Sequence, residues 1–401
     1  METFEEALRR VREAEVGRGA WIETPFGRRA LLYADQTATG RFLRFVESWI
    51  DRARPLYGNT HTGISTTGRV TTALREQARD AVRRGVHAGP DDVVLFTGSG
   101  ATAATNKLAG LLGLRVSEPL EREYGFSKAI PADRRPAVLI GPYEHHSNVL
   151  PWLESVADVI EVGLDPSGHV DLGDLAAKLE RVRERPLRIG AFSAASNVTG
   201  VITDVRGVAR ALHRGGAAAC FDYAASGPYV PIDMHPAGDA EARMDAIFVS
   251  THKFAGGPSG SGILVAHRDL FRTRTPERPG GGTVDYVGGL DPEHVDYTHR
   301  LDEREEGGTP AILADLRAGG AFLVKEMLGP ERIVAHEIAL GKRALDRLSR
   351  HPRLDLYGPR GVDRLAILPF NVKGLHHDFV STLLDHLFGI QNRSGCSMDH
   401  W

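Results

Sequence analysis

Lysine is scarce in this chain. Positions 107, 128, 178, 253, 325, 342 and 373 account for seven of the 49 Lys and Arg residues, and the other 42 are arginine. Lys253 stands out among the seven. It closes the apolar run Ala246 to Thr251, with His252 before it and Phe254-Ala255-Gly256-Gly257-Pro258 after it. A lysine drawn out of water at such a point has a lowered pKa and becomes an amine able to attack a carbonyl. Other apolar runs end on groups that suit the same chemistry. Asp92 to Thr97 leads into Gly98-Ser99-Gly100-Ala101-Thr102, where small residues let backbone N–H groups close on an anion at a helix start. Ala137 to Gly141 leads into Tyr143-Glu144-His145-His146-Ser147-Asn148, and one imidazole there can stack on a planar group. Ile189 to Ser196 leads into Asn197-Val198-Thr199-Gly200, and the run Ala219 to Ala224 carries Asp222.

Competing chemistries find less support. Gly98 to Ala103 fits a loose GxGxxA dinucleotide fingerprint, which calls for an acid about 20 positions on at a strand tip. Glu118 and Glu121 instead flank Pro119 in a charged segment. No Gly-Lys-Ser/Thr follows, so the loop is not a nucleotide P-loop. Adjacent histidines on a strand face opposite ways, and no HExxH or CxxC completes a shell, so no metal is expected. The 401 residues carry a net charge of −3, which gives no basic field for nucleic acid or an acidic membrane. Two cysteines cannot build a disulfide framework. The N-terminus lacks the apolar stretch of a signal peptide, and a soluble cytoplasmic protein is expected.

The elements that must position these residues follow from alternation. Short apolar runs at 92–97, 137–141, 158–163, 189–196, 219–224, 246–251 and 262–267 are separated by amphipathic stretches such as Leu172 to Arg185. That pattern predicts an α/β fold with a mostly parallel seven-stranded sheet between helices. Residues 1–29 read as an N-terminal helical segment and 30–328 as the large domain. Residues 270–310, rich in Gly, Pro, Arg and Glu, read as a long functional loop. A helix at 330–350, a strand at 365–372 and a helix at 377–387 then begin a smaller α+β domain, 329–401.

Taken together, the segments GSGAT, EHHSNVLPW, SNVTG, FDYAASG, STHKFAGGPSGSGIL and EGGTP resemble the class V aminotransferase family, fold type I, in its cysteine desulfurase and selenocysteine lyase branch. The likeness runs from about Tyr33 to Met398. It implies pyridoxal 5′-phosphate as cofactor. It also implies Lys253 as its Schiff-base lysine, Asp222 on the pyridinium nitrogen, His146 stacked on the ring and Asn197 on the ring hydroxyl. Gly100, Ala101, Thr102, Ser250 and His252 would hold the phosphate. Gly308 and Thr309 of EGGTP would reach in from a second subunit, which implies a symmetric homodimer with a composite site. Asn59 and His61 of GNTHTGIS, with Arg393, would stand on the substrate side. The expected reaction converts L-cysteine to L-alanine with sulfur passing to an enzyme thiol and then to an acceptor protein; transamination or β-elimination is the alternative.

Three departures from that pattern stand in the sequence. The position three residues after Asp222, Gln in the family, is Ala225, and the Glu that often follows the phosphate-loop Thr is Ala103. The segment Arg393-Ser394-Gly395-Cys396-Ser397-Met398 puts Met398, not Cys396, in the register of the sulfur-accepting cysteine. Methionine cannot form a persulfide, and Cys396 two residues earlier is the candidate replacement. With Trp401 as its last residue, the chain reads as a C-terminally truncated member, and a truncated, catalytically impaired homologue is a further alternative.

Overall fold

A computed structural model of the chain describes residues 3–395. At its centre is one seven-stranded sheet made of β1 (Asp92–Gly98), β2 (Ala137–Ile140), β3 (Asp158–Glu161), β4 (Arg188–Ser193), β5 (Ala218–Asp222), β6 (Ala246–Ser250) and β7 (Gly262–His267). Their spatial order is β1-β7-β6-β5-β4-β2-β3. Neighbours pair in parallel except β7, which runs antiparallel to both β1 and β6. All seven apolar runs of the sequence are therefore strands of a single sheet, each within a few residues of its expected limits.

Residue alternation explains why the sheet is covered on both faces. Phe221, Ile247 and Val249 point to one side, where Val82 of the Thr66–Gly85 helix and Phe322 of the Ile312–Leu328 helix meet them. Cys220 and Phe248 point to the other, against Ala104, Leu108 and Leu111 of the Gly100–Leu111 helix and against Trp152. These side chains are fully or almost fully buried, and each large one stabilises the fold by roughly 1.5–3 kcal/mol.

Register then sets the working edge of the sheet. Ser193 lies opposite Asp222, Asp222 opposite Phe248, and Gly262 opposite both Ser250 and Gly98. The carboxyl ends of β1, β5 and β6 thus come to one edge, where ligands gather in open α/β sheets.

Elsewhere the structure corrects the expectations. Among the described residues of the first 29, helix occupies only Phe4–Ala14, and a hairpin, Trp21–Thr24 with Gly27–Ala30, follows it because Pro25 and Gly27 favour a turn. The 270–310 stretch is not all loop: Val284–Val287 pairs with Val295–Tyr297, and Leu301–Glu305 is helical. Strand character in 365–372 is confined to Phe370–Val372, which pairs with Leu354–Leu356. Residues 363–365 bond instead to the turn after β4: Ile202 and Leu365 N–H groups donate to the carbonyls of Asp363 and Gly200. The helices Pro330–Leu348 and His377–Phe388 match their expected spans closely, and the Leu172 helix stops at Arg181, short of Arg185. Among the described residues no helix is long and apolar enough to cross a membrane.

Candidate active site

Lys253 ends a short 3₁₀ turn, Thr251–Lys253, that springs directly from β6. The turn is held from outside the sheet. The Gly40 N–H and the Thr39 hydroxyl both donate to the His252 carbonyl, at 2.8 and 3.1 Å. Burial pulls the Lys253 ammonium below its ordinary value and the charge of Arg393 adds to this, while Asp222 and Asp35 oppose it. A desolvated amine beside a carboxylate results.

That carboxylate is Asp222, at the last position of β5 and 4% exposed. Burial pushes it up to about 6, against the Ala224 N–H donating to Oδ1 at 2.7 Å and the charge of Lys253. An acid so buried is costly unless a cation meets it, and a protonated ring nitrogen is such a partner.

At the end of β1 the backbone turns through Gly98 and Gly100, with φ of +102° and +58°. Ser99 caps the Gly100–Leu111 helix without a side-chain hydrogen bond, so the helix start keeps N–H groups for an anion. The Ala101 N–H donates to Ser250 Oγ at 2.9 Å. A Cβ added to Gly100 would lie 2.7 Å from Ser250 Oγ and 2.9 Å from His252 Cε1, so only glycine leaves the cradle open. Thr102 donates its hydroxyl to Ser147 Oγ at 2.7 Å and ties the cradle to the histidine turn. Burial, then Lys253, holds the His252 imidazole below its ordinary value.

The histidine turn is fixed from below by a buried polar network. Glu144 accepts from the Ser193 N–H at 2.7 Å, the Ser193 hydroxyl at 2.8 Å and Asn148 Nδ2 at 2.6 Å, and Asn148 Oδ1 accepts from Trp152 Nε1 at 3.2 Å. Burial pushes Glu144 up to about 8 despite these donors. Above it the His145 and His146 rings lie 6.3 Å apart, inclined at 43°. Burial first, then the charges of Lys253, His146 and Arg393, press His145 down to about 4. The sequence singled out His146 and passed over His145, since alternation shows only that the two diverge.

Asn197 sits in the turn after β4, closed by Ser196 Oγ accepting from the Val198 and Thr199 N–H groups at 3.2 and 3.0 Å. Asp35, absent from the sequence reading, lies 3.7 Å from Arg393, and both act electrostatically on Lys253. Its signal was weak, because the strand before it is only Leu32–Tyr33.

The remaining candidates form a second group. Asn59 Nδ2 donates to Thr309 Oγ1 at 3.1 Å, and His61 Nε2 lies 2.9 Å from the Gly308 carbonyl. All four are exposed and are brought together within one chain by two segments, 59–61 and 308–309, the second of which follows Glu305 and Glu306. Glu306 there accepts from Arg75 Nη2 at 2.5 Å, Arg79 Nη2 at 2.9 Å and the Phe96 N–H at 2.7 Å. Glu305 pairs at 2.8 Å with Lys107 of the phosphate-loop helix. Cys220 is fully buried in β5, where burial pushes its thiol well up. Cys396 and Met398 lie outside the described residues.

A sheet of this order with an amine, an acid and an anion cradle on one edge defines a class, and the sequence comparison gives the same one. The chain belongs to the aminotransferase class-V family, whose sequence profile matches residues 32–400. It is 32% identical over 370 residues to a probable cysteine desulfurase of Halalkalibacterium halodurans, covering 91% of this chain and 83% of that one. To a probable cysteine desulfurase of Streptomyces coelicolor it is 28% identical over 371 residues, covering 91% and 82%. Among solved structures it resembles the apo cysteine desulfurase of Thermococcus onnurineus NA1, with a TM-score of 0.74 and 26% identity over 91% of this chain and 84% of that one. The cysteine desulfurase CsdA of Escherichia coli shares the fold, with a TM-score of 0.71 at 24% identity over 90% and 84%.

Proposed function

We propose that this chain is a pyridoxal-phosphate enzyme that desulfurates an amino acid, L-cysteine by preference, in the manner its relatives' names describe for them. One observation carries the reading: the desolvated Lys253 lies between the buried acid Asp222 and the open anion cradle of Gly100, Ala101 and Ser250. Those residues fit the cofactor. Lys253 would hold its carbonyl carbon, Asp222 its ring nitrogen, and Gly100, Ala101, Thr102, Ser250 and His252 its phosphate. Asn197 would meet the ring hydroxyl, and the His145–His146 turn would face the ring. When bound, the cofactor supplies an electron sink for charge that develops at the substrate's Cα.

The chain's own groups do the rest. Burial disfavours the charged form of Lys253, which suits it to take and return a proton at Cα. Asp222 stays ionised once a cation faces it. The sulfur step needs a thiolate. In it an S–S bond forms to the enzyme as the substrate's C–S bond breaks, and the carbon keeps the electron pair and takes a proton to give alanine. Cys220 is walled into the sheet, which leaves Cys396 to act. Met398 in the family's cysteine register favours a second reading, transamination or β-elimination with the same residues and no thiol. A cytoplasmic homodimer, with Gly308 and Thr309 completing the partner's phosphate site, belongs to this proposal. So does a division into a cofactor-bearing unit over 30–328 and a smaller unit from 329.

The test is direct. The wild-type protein is expected to take up pyridoxal phosphate with a visible absorption that Lys253→Ala abolishes; no lysine-dependent absorption would refute the cofactor assignment. With L-cysteine added, alanine and sulfide support desulfuration and a 2-oxo acid supports the second reading. Alanine formation indifferent to Cys396→Ser would exclude Cys396 as acceptor.

A further inference from the structure

Two distant segments enter the cleft side by side. Leu32–Tyr33 and Ile390–Gln391 pair in parallel, Leu32 opposite Ile390 and Tyr33 opposite Gln391. The Leu32 and Ala34 N–H groups donate to the carbonyls of Gly389 and Gln391, each at 2.9 Å. Two residues further along each segment stand Asp35 and Arg393, with Oδ1 and Nε 3.7 Å apart. That separation is too long for a hydrogen bond, so the two charges face each other without locking.

The Asp35 side is rigid. The Tyr33 hydroxyl donates to the carbonyls of Asp35 and Thr39 at 3.1 and 3.3 Å, and Thr39 and Gly40 are bonded to the His252 carbonyl. A Cβ on Gly40 would fall 2.1 Å from the Phe254 carbonyl oxygen, so this segment lies directly against the turn that carries Lys253. The Arg393 side is looser, with 57% of its side chain exposed against 23% for Asp35. A guanidinium whose fork is not fully engaged, next to the amine that receives a substrate, is a seat for a carboxylate.

We infer that Asp35 is a specificity-determining residue: it faces Arg393 in the resting cleft as an internal stand-in for the carboxylate of an α-amino-acid substrate, and gives up the guanidinium when that carboxylate arrives. The inference rests on the function proposed above and names the groups that select its substrate class. It makes Asp35 a competitor, so removing its charge improves carboxylate binding, whereas a residue that merely shaped Arg393 would do the reverse.

The experiment titrates the pyridoxal-phosphate-loaded protein with L-alanine and separately with ethylamine, which lacks the carboxylate, following the visible absorption. Arg393→Gln is expected to weaken L-alanine binding by about tenfold or more and to change ethylamine binding by less than about twofold, because only the carboxylate loses a charge-assisted partner. Asp35→Asn is expected to tighten L-alanine binding by about threefold, and the double variant to behave like Arg393→Gln alone. If Arg393→Gln fails to fold, Arg393→Lys keeps the charge without the fork and is expected to weaken L-alanine alone by a smaller factor. Equal losses for both ligands, or weaker L-alanine binding in Asp35→Asn, would overturn the inference. Absorption that forms but ignores these substitutions overturns it alone; wild-type protein without lysine-dependent absorption overturns the proposed function with it.

Discussion

Replacing Glu306 by alanine removes the charge at the centre of the most deeply buried ion cluster in the described residues. Its carboxylate accepts from Arg75, Arg79 and the Phe96 N–H, and both guanidiniums pack over the Phe96 ring, 5.1 Å from its centroid. Without it Arg75 keeps Asp315 at 2.7 Å, but Arg79 is left with the Val94 carbonyl and, as its only remaining carboxylate partner among the described residues, the half-exposed Glu76 at 3.2 Å, and two cations remain side by side. Breaking a buried pair on one side costs about 3–5 kcal/mol, a large part of the 5–15 kcal/mol typical of a folded protein. Exposed Glu303, paired with Arg300, is the internal control, and its alanine variant should lie within about 0.5 kcal/mol of wild type. Urea unfolding at matched protein concentration measures both. The burden on Glu306 also has a pH signature. Arg79 and Arg75 hold its carboxyl below the ordinary value against burial, so its contribution is complete above the unfolded-state pKa and is lost as pH falls through the depressed folded one. A Glu306→Ala loss under about 1 kcal/mol, no larger than that of Glu303→Ala, would refute the reasoning.

Two further outcomes follow from the site. Asp222 has a folded-state pKa raised to about 6, so in the cofactor-free protein it favours folding below its unfolded value near 3.8 and loses that advantage as pH rises through 6. Asp222→Asn should therefore raise the melting temperature of the cofactor-free protein at pH 8 while weakening retention of pyridoxal phosphate; a variant no more stable at pH 8 than wild type would contradict the buried charge. Cys220 should stay unreactive toward a thiol reagent until the fold is lost, and labelling of native Cys220→Ala should match that of native wild type.

Legibility in the sequence tracked the length of each signal. The runs around Val94, Phe221 and Ile247 alternate cleanly with amphipathic stretches, and all seven strands stand where that alternation puts them. The places of Lys253, Asp222 and the Gly100 loop were readable because each sits at a strand end, where ligands gather in open α/β sheets. Asp35 was not readable: its strand has two residues, and its partner Arg393 is brought close only by pairing with the far end of the chain. The anchoring of the histidine turn depends on Glu144 and Asn148 bonding to Ser193 and Ala191 of the neighbouring strand, a contact no local pattern encodes. The hairpin at Trp21–Ala30 escaped the helical reading because its bonds go to the C-terminal helix, Thr24 to His386 and Arg29 to Leu387.

That same pairing of the first and last segments implies an order of assembly. Arg29 and Leu387 are 358 positions apart, and the Leu32–Ile390 ladder closes a loop of similar size, so its closure entropy must be met by contacts the central sheet has already made. The edge bearing Lys253 and Asp222 can form from residues 92–267, whereas Arg393 arrives only when the ends of the chain meet. On the function proposed above, the half of the cleft assigned to the cofactor would then form before the half assigned to the substrate.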